Sequence, residues 1–310
     1  MKLTIERAAL LKSLTHVQSV VERRSTIPIL ANVRLEGKAG LLSLNATDQD
    51  LDIVETVPAD ISRPGETTAP AHTLYEIVRK LPEGSQVEFD YNKADGLLTL
   101  RSGRSKFSLA CLPVKEFPAM SGGELPYEFT LAVEELKRLI DRTRFAISTE
   151  ESRYYLNGIY LHTANSGGMP VLRAVATDGH RLARFEVPLP DGAAGMPGVI
   201  VPRKLVGELR KLIEESVLEV TLSLSETKIR FRFGDAWLTS KLIDGTFPDY
   251  ERVIPADNDK FLDVDCKLLA QAVDRVSAIS NEKSRAIKLA VDKGVLTLSA
   301  SSPESGSAVE

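Results

Sequence analysis

Cysteine is nearly absent: Cys111 and Cys266 are the only two among 310 residues, far apart and in no metal-like spacing. That excludes a disulfide scaffold and a zinc-ribbon module. Histidine is almost as scarce, and His16, His72, His162 and His180 form neither an HxH nor an HExxH pattern. A nucleophile elbow and a phosphate-binding glycine loop are missing as well. Little remains on which to build a hydrolase, even though Asp178, His180 and Arg181 crowd into one short stretch, VATDGHRLARFEV. Neither a metal nor a cofactor is expected. No apolar run approaches the roughly eighteen residues of a membrane span. Glu6, Arg7 and Lys12 interrupt what would be the apolar region of an export signal, so a cytoplasmic location is expected.

What is present is repetition. AISTEESRY begins at Ala146 and AISNEKSRA at Ala278, and a helical pattern precedes each: AVEELKRLIDRTRF and DCKLLAQAVDRVS. A third such pattern near the start places Leu10, Leu14, Val17 and Val21 on one face. PAHTLYEIVRKL from Pro70 and PRKLVGELRKLI from Pro202 read as proline-initiated amphipathic helices. Their stripes are Leu74, Ile77, Val78 and Leu81 in one, and Leu205, Leu209, Leu212 and Ile213 in the other. Alternating segments lie between them: LLSLNA (41–46), LLTLRS (97–102), EVTLSL (219–224) and VLTLSA (295–300). Three of these follow the hairpin signals KAG, ADG and DKG.

Each unit thus reads as a helix, strands, a second helix and more strands, giving expected modules at 1–125, 126–256 and 257–310. The third lacks its second helix, and the repeat arithmetic leaves it short by roughly 60–80 residues. Ala176-Thr177-Asp178 recurs as Ala46-Thr47-Asp48. A duplicated aspartate with no partner histidine in the first copy is expected to cap a turn after a strand, and to catalyse nothing. Gly179-His180-Arg181-Leu182 belongs to the second module alone.

Charge is unevenly placed. The four complete helical segments, 6–24, 71–80, 134–144 and 203–215, hold fourteen Lys and Arg against nine Asp and Glu. They carry +5, which leaves −9 for the rest of a −4 chain. Basic helices against acidic strands and loops suit a protein that turns its helices toward a polyanion. Helix-turn-helix, zinc-finger and RNP-like motifs are absent, so any nucleic acid would be met at its phosphates, without sequence preference.

The stretches TIPIL (26–30), PEG (82–84), RSGRSKFSL (101–109), RYYLNG (153–158), VATDGHRLA (175–183), VIVPRK (199–204), TSKLIDGTFPDYERV (239–253) and ISNEKSR (279–285) resemble the bacterial DNA polymerase III beta subunit family, the sliding clamps. The resemblance implies an α+β clamp fold: repeated modules of two helices packed on antiparallel sheets, two chains joining head to tail as a ring around duplex DNA. It implies no catalysis. The homodimer would slide on double-stranded DNA and tether the polymerase III alpha subunit, the clamp loader, and other polymerases and repair proteins that carry short clamp-binding motifs. An acidic exterior would keep DNA off the wrong face.

Residue by residue, the resemblance assigns a partner-peptide pocket to Leu156, Thr177, Gly179, His180, Arg181, Leu182, Pro248, Arg252 and Val253. DNA contacts fall to Arg24, Tyr154 and Tyr155, with Glu150 and Glu151 beside the tyrosines expected to repel phosphate. The dimer face falls to Arg104, Lys106, Phe107 and Leu109 on an edge strand, and to Ala278 and Ile279 in the third module, where Glu304 and Glu310 would supply opposite charge. A monomeric peptide-binding adaptor is the rival reading.

Overall fold

The computed structural model describes residues 1–22, 26–118, 120, 123–214, 218–280 and 286–310. They form two compact units, Met1–Pro248 and Asp249–Glu310. In the first unit the first repeat runs β1 (Lys2–Glu6), α1 (Arg7–Val20), β2 (Asn32–Lys38), β3 (Leu41–Thr47), β4 (Leu51–Pro58), β5 (Asp60–Arg63), β6 (Gly65–Pro70), α2 (Ala71–Lys80), β7 (Gln86–Asn92), β8 (Leu97–Ser102) and β9 (Ser105–Ala110). The second repeat follows with β10 (Tyr127–Ala132), α3 (Val133–Asp141), β11 (Gly158–Ser166), β12 (Met169–Thr177), β13 (Leu182–Pro188), β14 (Val199–Pro202), α4 (Arg203–Glu214), β15 (Glu219–Leu224), β16 (Lys228–Phe233) and β17 (Ala236–Lys241).

The helices form where the apolar spacing places them. Leu10, Leu14 and Val17 of α1 are fully buried, as are Leu74 and Val78 of α2. Leu205, Leu209, Leu212 and Ile213 of α4 are buried too. Each such side chain contributes about 2 kcal/mol through burial. Pro70 occupies the N-cap of α2, while Arg79 and Lys80 sit in its last turn, where cations suit the helix dipole. The strands β1 and β10 precede the first helix of their repeats, although the sequence reading starts each repeat at the helix. KLTIE buries Leu3 and Ile5 by simple alternation.

All pairings are antiparallel. One sheet has the order β5-β1-β7-β8-β9, another β13-β12-β11-β14, and the largest β10-β15-β16-β17-β4-β3-β2-β6. That largest sheet crosses from one repeat to the other where β17 pairs with β4, setting Trp237 opposite Val54, Leu238 opposite Ile53 and Thr239 opposite Asp52. The boundary expected at 125/126 therefore lies inside one continuously hydrogen-bonded unit. Polar contacts reinforce the seam: Ser19 donates to Glu208 Oε2 at 2.5 Å, and Lys204 Nζ reaches Glu22 at 3.1 Å and pairs with Asp48. Beneath them, Ser13 and His16 of α1 bond the two oxygens of buried Glu55 at 2.9 and 2.8 Å.

The second unit holds α5 (Cys266–Ser277) and a sheet in the order β18 (Lys288–Asp292), β19 (Val295–Ser302), β20 (Gly306–Val309). Asp265 caps α5 by accepting from the N–H groups of Lys267 and Leu268, both at 2.9 Å. Ala272, Val276, Leu298 and Ala300 make a small core, while Leu289, Val291 and Val295 stay more than half exposed. FLDVD (261–265) has the alternation of β1 and β10 but forms no strand. In both complete repeats the corresponding strand pairs with one that follows the second helix (β7 for β1, β15 for β10).

Candidate functional site

β12 and β13 are paired down to Thr177 opposite Leu182, so residues 178–181 make a tight turn at the strand end. Asp178 organises it. Its Oδ1 accepts from the N–H groups of His180 and Arg181, both at 3.0 Å, and its Oδ2 accepts from Arg181 Nε at 3.0 Å. Burial works against the charge, but these three donors hold the Asp178 carboxyl below its ordinary value. The Thr177 hydroxyl donates to the Arg181 carbonyl at 2.7 Å and accepts from Gly179 N–H at 3.1 Å. The opening cluster is thus a capped turn, with its carboxylate fully occupied by structure.

Gly179 is favoured on two counts. Its φ is +88°, and a Cβ there would lie 2.4 Å from Arg153 Nη1. Arg153 braces the turn from the neighbouring 3-10 segment, Glu151–Leu156: it donates to the Asp178 carbonyl at 3.4 Å and grips both oxygens of Glu150 at 2.8 Å. Glu150, expected to repel phosphate, therefore spends its charge on this bidentate pair, which also raises the Arg153 guanidinium above its ordinary value. The same segment carries Leu156, which is buried, and Tyr154 and Tyr155, whose rings meet edge to face at 5.8 Å.

The capping arrangement turns His180 and Arg181 outward. Both are exposed, and the Arg181 guanidinium lies over the ring of Phe145 at 5.6 Å. Phe145, itself 55% exposed, stands in the sequence only as the last residue of a helical pattern, with nothing to mark it as a surface residue. Tyr154, 54% exposed, opens onto a cleft shared with Arg203 and Lys204 at the start of α4. Burial opposes the charge on Lys204, yet hydrogen bonds to Asp48 and Glu22 hold it above its ordinary value. Pro248 is exposed at the end of the first unit, after Phe247, which stacks on Tyr160 at 4.8 Å. Arg252 and Val253 belong to the second unit, where Arg252 pairs with Asp249 at 2.7 Å and Val253 is 69% exposed.

Of the other assigned residues, Arg24 lies outside the described residues, as do 281–285 of ISNEKSR. The strand β9 is the open edge of its sheet, with Arg104 and Lys106 exposed at it. Phe107 and Leu109 lie on the same strand. They alternate onto the inner face, where Leu109 is buried in the core and Phe107 half-buried against it. Ala278 caps the end of α5 and is exposed, with Ile279 half-buried after it. Glu310, expected to offer charge to a partner, is held by Nε and Nη2 of Arg275 within its own unit.

Two repeats sharing one sheet across their seam, helices packed against it, a capped turn with a basic rim and a strand at a sheet edge define a clamp-type scaffold. The comparisons give it a family. Models of the DNA polymerase III beta subunit match its N-terminal domain over residues 1–121, its central domain over 130–249 and its C-terminal domain over 251–310. The beta sliding clamp of Caulobacter vibrioides is 59% identical over 310 residues, covering all of this chain and 83% of that protein. That of Escherichia coli K12 is 41% identical over 313 residues with the same coverage. Among solved structures, the Bartonella birtlesii sliding clamp bound to griselimycin aligns with a TM-score of 0.97 at 49% identity, covering 100% of this chain and 83% of that one. Caulobacter crescentus pol III beta aligns at 0.95 and 58%, with the same coverage. This chain belongs to the DNA polymerase III beta subunit family. It is a sliding clamp, a processivity factor without catalytic chemistry of its own, which encircles DNA as a homodimer and holds the polymerase and other clamp-binding proteins there.

Proposed function

We propose that the turn 177–182 is the rim of the surface that captures partner peptides. The observation that carries this is the division of labour in the turn: Asp178 and Thr177 satisfy the backbone, which leaves His180 and Arg181 outward beside exposed Phe145. Leu182 and Pro248 supply apolar surface, buried Leu156 backs it, His180 and Arg181 orient the peptide's polar groups, and Gly179 and Thr177 hold the loop's shape. Arg252 and Val253 take the corresponding role in the second unit. The griselimycin-bound clamp of Bartonella birtlesii supports a ligand-binding surface in this family.

For DNA, Tyr154 and Tyr155 together with Arg24 are proposed as contacts that ignore sequence. Arg203 beside Tyr154 extends the same cleft. For ring closure, β9 with Arg104 and Lys106 at its open edge is proposed to meet the α5 end of a second chain, at Ala278 and Ile279. Phe107 and Leu109 shape that edge from inside. A cytoplasmic location follows from this role.

Fluorescence anisotropy of a labelled Gln-x-x-Leu-Phe-type peptide, titrated with this chain, tests the rim. Saturation in the micromolar range is expected, weakened about tenfold or more by His180→Ala plus Arg181→Ala. Equal binding by the double variant, with unchanged thermal unfolding, would remove the rim from the site.

A further inference from the structure

The face of the eight-stranded sheet turned away from the helices was expected to be acidic, and over β16 and β17 it is basic. Alternation sends Ile229, Phe231 and Phe233 into the core, and Lys228, Arg230 and Arg232 outward. On the next strand Trp237, Thr239 and Lys241 share that outer face, in register as Arg232 opposite Trp237, Arg230 opposite Thr239 and Lys228 opposite Lys241. Trp237, the one tryptophan of the chain, is 43% exposed, and the guanidiniums of Arg230 and Arg232 lie over its ring at 5.5 and 5.9 Å. Val54 of β4 continues the row beyond it.

The two arginines are held by one bond each. Arg230 Nε donates to Thr239 Oγ1 at 3.1 Å, and Arg232 Nε to the Gly234 carbonyl at 3.4 Å. Among the described residues neither makes an ion pair, although Arg230 feels the charge of buried Asp52 and Lys241 is paired with Asp50 at 2.8 Å. Their terminal nitrogens are therefore positioned by stacking and hold no carboxylate. Tryptophan and arginine, displayed together on a rigid sheet, are the residue types that anchor protein interfaces.

We propose that this patch is a docking surface for an acidic peptide segment of a partner protein, separate from the 177–182 rim. Carboxylates of the segment pair with Arg230 and Arg232, and one apolar side chain between them lies on Trp237 and Val54. The geometry favours an acidic peptide over single-stranded nucleic acid. Two guanidiniums without a carboxylate partner fit the side chains of Asp and Glu, and one partly exposed indole offers a single ring where a single strand would need a row of them.

Because Trp237 is unique, its fluorescence reads this site alone in the full chain. The probes are an eight-residue peptide of Asp and Glu with one central Phe, its Asn/Gln counterpart, and a twelve-residue oligothymidylate. The acidic peptide is expected to shift the emission saturably and to weaken with salt. Its affinity should fall about tenfold or more in Arg230→Gln/Arg232→Gln, with the melting curve unchanged. Labelled-peptide anisotropy on Trp237→Ala gives the same loss without the intrinsic reporter. Three results each overturn the proposal: no shift with the acidic peptide, an equal shift with the Asn/Gln peptide, or tighter binding of the oligothymidylate.

Discussion

The turn after β3 and the turn after β12 share their hydrogen bonds one for one. In the first, Thr47 donates to the Leu51 carbonyl, and Asp48 Oδ1 accepts from the N–H groups of Asp50 and Leu51. In the second, Thr177 and Asp178 do the same for residues 180 and 181. Gln49 and Gly179 hold the same left-handed position, at φ 82° and 88°. The side chains then diverge. Leu51 is buried where Arg181 is exposed, Asp48 Oδ2 is taken by Lys204 of the other repeat, and Asp50 is taken by Lys241. One copy of the turn is spent on joining two repeats; the other is left open for a ligand. A motif duplicated in sequence is thus evidence for architecture, and function sits in what the copies do not share.

If that division is right, the largest expected effect comes from Asp48→Ala. It removes the acceptor of two backbone N–H groups and strips Lys204 of a partner at the seam. The expected loss is about 2–4 kcal/mol in urea unfolding. Asp178→Ala should cost less, about 1–2 kcal/mol, because its turn is exposed and its ion pair sits at the surface. It should instead weaken the clamp-motif peptide, which Asp48→Ala leaves unchanged. Equal stability losses, or equal effects on the peptide, would break the comparison.

The two regions also differ in pH response. Burial pushes the Asp52 carboxyl, beside the first turn, up to about 6, against the pull of Asn45 and Arg230, with Asp48 adding to the rise. The folded state therefore binds this proton more tightly than the unfolded chain does. Stability falls as pH rises from about 4 to about 6 and is level above that. Asp52→Asn should gain about 2–3 kcal/mol at pH 7.5 and almost nothing at pH 4, measured as unfolding free energy at each pH. Asp178, held low, runs the other way: its contribution is present at neutral pH and lost as pH falls through its lowered value.

A smaller effect separates the left-handed positions. Gly179→Ala should cost about 1 kcal/mol and loosen peptide binding as Arg153 is displaced. Gln49→Gly should stay within about 0.5 kcal/mol, since the glutamine already tolerates that conformation.

Much of this was legible in the sequence. The stripes of α1, α2 and α4 were read from helical spacing, β3, β8, β15 and β19 from alternation, and the capping role of Asp178 from its recurrence as Asp48. Other features were hidden because they depend on partners distant along the chain. Nothing local says that Glu150 will be neutralised by Arg153, or that Leu109 on an edge strand turns inward. The seam between β4 and β17 joins residues about 180 apart, so its basic outer patch, with Arg230, Arg232 and Trp237, appears only when the strands are paired. Phe145 was concealed differently, by resembling the apolar end of a helix.

The most direct test exchanges the decoration and keeps the turn. His180→Asp plus Arg181→Leu gives the second turn the side chains that Asp50 and Leu51 give the first, with Thr177, Asp178 and Gly179 untouched. The account predicts unfolding within about 0.5 kcal/mol of the parent and clamp-motif peptide affinity reduced about tenfold or more. A variant that folds as well and binds the peptide as tightly as the parent would contradict it.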